Sequence, residues 1–217
     1  MDRFRWRLVT VDIDGTLTRG HGWRPIAAAF GRTSEFEASN RQFYAHEIGE
    51  DQHLANILGI ATGHTVAEVE AIVERTPKLD GIAEGVRVLH HHGARVALLS
   101  HNPSYVTSYY RRTFAFDDEE GVDAQAITDG RIGPPAGVHA DKVQAVELLL
   151  ARAGAQRFET VHVGDGWSDA RVFRTVGGGV ALNSFLPEVR AAADLSLSTR
   201  DFRDVTAALG ALSPRSA

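Results

Sequence analysis

Four short runs of apolar residues constrain the fold of this chain most. The first is L-V-T-V-D-I-D at residues 8–14, which is rich in β-branched side chains and ends in two aspartates. Similar runs cover residues 95–100 and 160–165, and a weaker one covers residues 179–182. Short, continuous apolar runs of this kind are typical of strands that are buried in a parallel sheet.

Helical patterns separate these runs. Residues 82–92 carry apolar side chains at helical spacing, and Gly93 follows them as a C-terminal stop. Further helices are predicted over residues 103–114, 138–153, 168–176, 187–193 and 201–209. Strands that alternate with helices indicate an α/β fold, in which a doubly wound, Rossmann-like parallel sheet has helices on both faces.

Residues 18–77 interrupt this alternation, because they contain several helical patterns and no convincing strand. Within them, T-V-A-E at residues 65–68 is a helix start of the capping-box type. We therefore predict a small helical cap over residues 18–77, inserted after the first strand. The core domain would then consist of residues 1–17 and 78–217.

Three polar segments of the core are predicted to have structural rather than catalytic roles. Residues 124–132 predict a hairpin that turns at Asp129-Gly130, a strong turn dipeptide. The acidic run at residues 117–120 predicts a solvated surface loop. The three histidines at residues 90–92 lie on a predicted helix away from the strand ends, so they predict a solvated face.

The composition excludes several classes of site and partner. The chain has 217 residues and a formal net charge of −5, and it contains no Cys, which rules out disulfides, cysteine nucleophiles and thiolate metal sites. It has no basic cluster suited to nucleic acid, no apolar run long enough to cross a membrane, and no signal-peptide core at its N-terminus. We expect a cytoplasmic protein, monomeric or homodimeric, without nucleic-acid or membrane partners.

Acidic residues lie at the predicted strand ends, where doubly wound sheets bind their ligands. Asp12 and Asp14 are two residues apart at the end of the first strand, so both can face one pocket. Asp165 and Asp169 flank a tight turn at Gly166 and can face the same pocket. Taken singly, each is more often a cap or a surface residue, but their shared position favours a common site.

Such a cluster requires a cation. Two like charges about 4 Å apart cost roughly 4 kcal/mol at an effective dielectric of 20, and oxygen-only ligands suit Mg²⁺. Lys142 adds a fixed positive charge, whereas Ser100 and Thr16 add hydroxyl groups. A nucleophile, an acid, a metal, a cation and oxygen-binding donors are the parts of a phosphoryl-transfer site.

These segments resemble the four motifs of the haloacid dehalogenase superfamily of hydrolases. V-D-I-D-G-T-L-T resembles the first motif, A-L-L-S the second, A-D-K the third and V-G-D-G-W-S-D the fourth. Two further segments, G-I-A-E-G-V-R-V-L-H-H-H-G and T-R-D-F-R-D-V, resemble the phosphoserine phosphatase-like subgroup. The resemblance implies a phosphatase that acts on a small-molecule phosphate ester.

The resemblance also implies roles for individual residues. Asp12 would attack phosphorus and form an aspartyl-phosphate, while Asp14 would protonate the leaving oxygen and then activate water. The Mg²⁺ site would be formed by Asp12, Asp14 through its backbone carbonyl, Asp165 and Asp169. The phosphoryl oxygens would be bound by the remaining polar residues of the motifs, Thr16, Ser100, His101, Asn102 and Lys142.

The cap departs from the phosphoserine phosphatase pattern. Those enzymes carry a Glu soon after the first motif and an Arg in the cap that holds the substrate carboxylate. This chain places His21 at the first position and Ala55 or Asn56 at the second. We therefore expect a different small phosphorylated metabolite as the substrate, with phosphoserine as the alternative.

Two further functions compete with simple hydrolysis. A phosphotransferase or mutase would pass the phosphoryl group to another alcohol, and the sequence does not separate this reaction from hydrolysis. A phosphorelay receiver domain also arranges acidic residues, a hydroxyl group and a lysine around Mg²⁺ on a doubly wound sheet. The paired aspartates at one strand end and the inserted cap argue against the receiver.

Overall fold

A six-stranded parallel sheet forms the centre of the protein, in a computed structural model that describes residues 4–215. In chain order the strands β1 to β8 are Leu8–Val11, Arg95–Leu99, Asp118–Glu120, Gln125–Thr128, Arg131–Pro135, Thr160–Gly164, Gly178–Leu182 and Leu195–Leu197. The sheet has the order β3-β2-β1-β6-β7-β8, and β4 and β5 form a separate antiparallel hairpin. The predicted α/β class and the hairpin are confirmed.

Helices cover both faces of this sheet. In chain order the helices α1 to α10 are Trp23–Ala29, Thr33–Tyr44, Glu50–Gly59, Val66–Arg75, Ile82–His91, Ser104–Phe114, Lys142–Ala153, Trp167–Phe173, Pro187–Ala192 and Phe202–Ala211. Apolar side chains of α5, α6 and α10 pack on one face, and those of α7, α8 and α9 pack on the other. Within residues 4–215, no helix combines the length and the apolar content that crossing a membrane requires.

The strand register brings the first, second and fourth motif segments together at the carboxyl end of the sheet. Val11 is level with Leu98 of β2 and with Val163 of β6, so the chain leaves all three strands at the same height. The backbone N–H of Asp12 still donates to the carbonyl of Val163 at 2.9 Å. The residues that follow β1, β2 and β6 therefore surround one point at the carboxyl end of the sheet.

The cap is joined to the core by a narrow neck. Thr18 and Lys78 form an isolated antiparallel bridge, and the N–H of Leu79 donates to the carbonyl of Leu17 at 2.9 Å. Helices α1 to α4 lie between these two points, and α4 begins with the predicted capping box of Thr65. Because the two ends of the insertion lie side by side, we keep residues 18–77 as our proposed cap.

The hairpin of the core also contacts this cap. The N–H of Gly63 donates to the carbonyl of Ile132 at 2.8 Å, and the N–H of Ile132 donates to the carbonyl of His64 at 2.8 Å. The cap is therefore supported by backbone hydrogen bonds at two separate places, the neck and the hairpin.

Two sequence predictions about the core were wrong, and one strand was missed. The acidic run predicted as a loop forms the edge strand β3, because its backbone pairs with β2 and Arg152 of α7 forms ion pairs with Asp118 and Glu120. Helix α7 begins at Lys142 rather than at residue 138, since Asp141 caps it through the N–H of Val143 at 2.9 Å. The short edge strand β8 was not predicted.

The contact between α5 and α10 supplies a test of the packing. A Cβ atom added to Gly85 of α5 would lie 2.5 Å from the ring of Phe202, which is fully buried. We expect Gly85→Ala to lower the free energy of unfolding by about 1–3 kcal/mol, because the buried Phe202 ring cannot move away from the added methyl group without cost. Urea denaturation measures this change.

Gly210→Ala is the matched control. Gly210 lies in α10 itself, and nothing lies within 4 Å of the position of its added Cβ. This change should raise the stability by about 0.5–1 kcal/mol, because Ala favours the helix. Equal stabilities of the Gly85→Ala protein and the wild type would contradict the close packing of α5 on α10.

Candidate active site

Three carboxylates and one lysine lie at the carboxyl end of the sheet. Each of Asp12, Asp165 and Asp169 offers an oxygen atom within 4.8 Å of the others. The Nζ of Lys142 lies 2.9 Å from Oδ1 of Asp12 and 2.7 Å from Oδ1 of Asp169. Asp12, Asp169 and Lys142 are buried, and Asp165 is partly buried. The structure thus brings together residues that the sequence separates widely.

Asp169 is held by donors on both of its carboxylate oxygens. Its Oδ2 accepts hydrogen bonds from the backbone N–H groups of Asp165 at 3.1 Å and Gly166 at 2.8 Å. Its Oδ1 accepts hydrogen bonds from Lys142 and from Nε2 of His162, the latter at 2.8 Å. Four donors leave Asp169 little capacity to bind anything else, so it orients the turn after β6.

His162 and Thr10 lie beneath this cluster, and sequence reasoning missed both. They face each other on neighbouring strands, with Thr10 Oγ1 at 2.8 Å from Nδ1 of His162. Burial lowers the pKa of His162, while its contact with Asp169 opposes this shift. Nδ1 also lies 3.2 Å from the backbone carbonyl of Thr10, so His162 links Asp169 to β1. The only sequence signal for these two residues was that each is a polar residue within one of the apolar runs, at residues 8–14 and 160–165.

One lysine does not balance three carboxylates. Burial raises the pKa of Asp12 to about 7, and burial and the charge of Asp12 raise the pKa of Asp165 well above its ordinary value. Burial also works against the charge on Asp169, but Lys142 and His162 hold the pKa of Asp169 well below its ordinary value. The cost of the excess negative charge therefore falls on Asp12 and Asp165, whose pKa values are raised.

The donor set at this point fits a divalent cation. Among residues 4–215, Lys142 contacts Oδ1 of Asp12, and Thr16 donates to Oδ1 of Asp165. The Oδ2 atom of each carboxylate is therefore available to bind a cation. Gly15 has φ +75°, and a Cβ there would lie 2.2 Å from Oδ2 of Asp165. The chain therefore bends closely around Asp165, and the available carboxylate oxygens are of the type that Mg²⁺ prefers.

Asp14 is turned away from the three-carboxylate cluster. Its Oδ1 accepts from the N–H of Gly22 at 2.9 Å, and its Oδ2 accepts from Nδ2 of Asn102 at 3.0 Å. Oδ1 of Asn102 in turn accepts from Nε1 of Trp23 at 2.8 Å. Since Gly22 and Trp23 belong to the start of the cap, the side chain of Asp14 is oriented by the cap and the core together.

The residues predicted to bind phosphate fall into two groups. Ser100, His101 and Lys142 line the cavity above the carboxylates. Thr16 is fully buried and donates to Oδ1 of Asp165 at 3.1 Å, and the buried Asn102 bonds to Asp14 and Ser100. The side chains of Thr16 and Asn102 thus hold carboxylates in position, and their binding of phosphate stays a prediction.

His101 carries a buried nitrogen that has no hydrogen-bond partner among the described residues. This atom is Nε2, while Nδ1 lies 3.7 Å from Oε1 of Glu50, at the start of α3 in the cap. Burial, and then the charge of Lys142, lower the pKa of His101 to about 3, so the ring is neutral. A neutral ring beside Ser100 can donate or accept a hydrogen bond within the cavity.

The cavity above these residues has a volume of about 730 Å³ and lies between the cap and the core. Its cap side is formed mainly by aromatic and aliphatic side chains, namely His21, Trp23, Phe43, Tyr44, His53, Leu54 and Ile57. Its floor is formed by the carboxylates and Lys142. The cavity thus combines a charged end with a largely apolar wall, as small-molecule sites commonly do.

A family model described as haloacid dehalogenase-like hydrolase matches residues 6–177, more than half of the chain. The chain belongs to the haloacid dehalogenase-like hydrolases. The family predicted from the motifs is therefore confirmed, and the matched region contains all four motif segments.

The curated relatives of this haloacid dehalogenase-like chain include several named phosphoserine phosphatase. The one from Streptomyces coelicolor is 31% identical over 204 residues, which covers 88% of this chain and 47% of the relative. That from Archaeoglobus fulgidus is 28% identical over 182 residues, covering 82% and 53%. The chain thus spans about half the length of these relatives. The relative from Methanocaldococcus jannaschii is 22% identical over 203 residues, covering 92% and 95%.

Solved structures share the haloacid dehalogenase-like fold. A phosphoserine phosphatase with an analogue of the phospho-aspartyl intermediate has a TM-score of 0.81 at 21% identity, covering 94% of this chain and 99% of that one. A substrate-bound phosphoserine phosphatase has a TM-score of 0.81 at 20% identity, covering 94% and 98%. At these identities the likeness establishes the fold.

Removing the lysine tests the charge balance of this site. Lys142→Met leaves Asp12 and Asp169 buried without their shared cation. We expect the free energy of unfolding in EDTA to fall by about 3–5 kcal/mol, because breaking a buried ion pair leaves charge uncompensated. Urea denaturation at neutral pH measures the change.

The double variant Lys142→Met with Asp12→Asn is the control. It removes one of the two orphaned charges, so it should recover part of the lost stability. If Lys142→Met is as stable as the wild type, or if the double variant recovers nothing, Lys142 does not balance Asp12 in the folded protein.

Proposed function

We propose that the protein is a Mg²⁺-dependent phosphomonoester hydrolase that acts on a small phosphorylated compound through an aspartyl-phosphate on Asp12. The observation that carries this proposal is the position of Asp12. Its carboxylate lies on the floor of the cavity, 2.9 Å from Lys142, and the second carboxylate, Asp14, lines the same cavity with separate partners. One carboxylate is thus placed to attack and the other to move a proton.

Asp12 is the nucleophile of the proposed reaction. Its Oδ1 is held by Lys142, and its Oδ2 attacks phosphorus. The new bond between this oxygen and phosphorus forms as the bond from phosphorus to the alcohol oxygen breaks, and the electron pair stays on the alcohol oxygen. Burial removes competing water from Asp12, while Lys142 maintains the negative charge that attack requires.

Asp14 moves the proton in both steps. In the first step its carboxyl group gives a proton to the departing alcohol oxygen. In the second step it takes a proton from the water that attacks phosphorus, which breaks the aspartyl-phosphate and releases phosphate. The hydrogen bonds from Gly22 and Asn102 hold Asp14 at the neck of the cap, so this side chain faces the leaving group rather than the carboxylate cluster.

The remaining polar residues bind the phosphoryl group and the metal. Ser100 and Lys142 bind phosphoryl oxygens, and His101 adds a ring nitrogen. Asp12, Asp165 and the backbone carbonyl of Asp14 would hold Mg²⁺, and Asp169 orients the loop that carries Asp165. When bound, the ion would neutralise charge on the phosphoryl oxygens.

Phosphoserine is the second candidate substrate. The names of the curated relatives favour it, since those from Streptomyces coelicolor and Archaeoglobus fulgidus are both called phosphoserine phosphatase. The same four acidic residues and Lys142 would serve either substrate. The cavity residues that contact the alcohol part of the substrate would decide between phosphoserine and another phosphate ester.

Asp12→Asn tests the nucleophile. The wild type should hydrolyse p-nitrophenyl phosphate in Mg²⁺, stop in EDTA and recover when Mg²⁺ is restored. Asp12→Asn should lower kcat by at least about 1,000-fold, because an amide oxygen forms no stable acyl phosphate. A circular dichroism spectrum identical to that of the wild type serves as the folding control, and a kcat near the wild-type value would refute the mechanism.

Asn102→Ala tests the orientation of Asp14. The Asn102 side chain donates to Asp14 but does not line the cavity, so its loss should act on proton transfer more than on substrate binding. We expect kcat to fall roughly 10- to 100-fold with little change in KM, because small misplacements of a reacting group are costly. Steady-state kinetics measures both, and an unchanged kcat would mean that Gly22 alone orients Asp14.

A further inference from the structure

Five aromatic side chains form a continuous surface along one side of the cavity, which we call the aromatic wall: Phe43, Tyr44, His53, Trp167 and Phe185. The rings of Phe43 and Trp167 have centroids 5.3 Å apart, and those of Tyr44 and Phe185 lie 5.4 Å apart. His53 stacks on Phe43 at 4.3 Å. These distances are those of rings in direct contact.

The aromatic wall lines the same cavity as the reacting groups. Trp167 is the first residue of α8 and follows Asp165 by two residues. Its Nε1 donates to Oε1 of Glu188 at 2.8 Å, which fixes the orientation of the indole. Tyr44, at the end of α2, and Phe185, after β7, complete the wall from the cap and from the core.

Two rings of the aromatic wall are open to solvent. Tyr44 is 41% exposed and Phe185 is 62% exposed, and both line the cavity. Apolar rings that are grouped and exposed at a cavity are typical of ligand-binding grooves. A ligand that covered them would remove apolar surface from water, so the wall offers binding energy that the folded chain alone does not use.

Two charged residues that line the cavity form ion pairs. Glu50 forms one with Arg171 at 2.5 Å, and Arg19 forms one with Asp80 at 2.7 Å. Among the described residues that line the cavity, Arg200 is the arginine outside an ion pair, and it is exposed. The five rings of the wall themselves offer an apolar surface rather than charged partners for an ammonium and a carboxylate group.

We propose that the alcohol part of the substrate is an aromatic or similarly apolar group that packs against the aromatic wall, rather than an amino acid. This inference rests on the proposed phosphatase function. The phosphate would lie on the carboxylate floor, and the apolar group would extend past Trp167 toward Tyr44 and Phe185. In the competing interpretation the wall only joins the cap to the core.

Three phosphate esters of primary alcohols test the substrate class: 2-phenylethyl phosphate, ethyl phosphate and O-phospho-L-serine. All three release an aliphatic alcohol, so differences in kcat/KM report recognition rather than the reactivity of a phenolate. We expect kcat/KM for 2-phenylethyl phosphate to exceed that for each of the other two by at least about tenfold, because only its ring contacts the wall.

Phe185→Ser tests the wall itself, and Phe158→Ser is the matched control. Phe158 is 50% exposed and precedes β6, so it lies at the amino end of the strands, whereas the site lies at their carboxyl end. Phe185→Ser should lower kcat/KM for 2-phenylethyl phosphate about three- to tenfold and leave that for ethyl phosphate unchanged, since only the larger ester reaches the ring. Phe158→Ser should change neither value.

Each contrary outcome has a distinct meaning. Equal kcat/KM for the three esters, or a preference for O-phospho-L-serine, would overturn the apolar substrate class and leave the phosphatase function in place. Equal losses for both alkyl esters in Phe185→Ser would assign the wall to joining the cap and the core. Absence of Mg²⁺-dependent turnover with all three esters and with p-nitrophenyl phosphate would overturn the phosphatase function itself.

Discussion

The shared contact of Lys142 with Asp12 and Asp169 is the interaction on which the rest of the site depends. Lys142 is the first residue of α7, Asp12 directly follows β1, and Asp169 lies in the first turn of α8. A buried lysine in this position must be paired, and buried carboxylates must be balanced. The same imbalance that makes three carboxylates costly to bury makes the site receptive to a divalent cation.

Buried polar residues outside the cavity lining hold three of the carboxylates through hydrogen bonds. His162 bonds to Asp169, Thr16 to Asp165 and Asn102 to Asp14, and none of these three side chains faces the cavity. Each carboxylate thus has its own partner, which restricts its orientation before any substrate binds. Such preorganisation avoids the cost of ordering reactive groups during catalysis.

Continuous apolar runs made β1, β2, β6 and β7 predictable, because buried parallel strands require them. The edge strand β3 was not predictable, since its acidic side chains are balanced by Arg152, a contact that exists only in the folded protein. The motif aspartates were found from their places at strand ends. The directions of Thr16 and Asn102 were not, because distant partners, Asp165 and Trp23, determine them.

The central place of β1 has a consequence for the order in which the molecule matures. β1 is synthesised first, yet it pairs with β2 on one side and with β6 on the other. A nascent chain therefore carries Asp12 on a strand that lacks one of its two neighbours until residue 164 has left the ribosome. Contacts between such distant segments form slowly, whereas the helices of the cap pack through local contacts. The helices of the cap can therefore pack early during translation, whereas the end of the sheet that carries Asp12 is among the last parts of the fold to form.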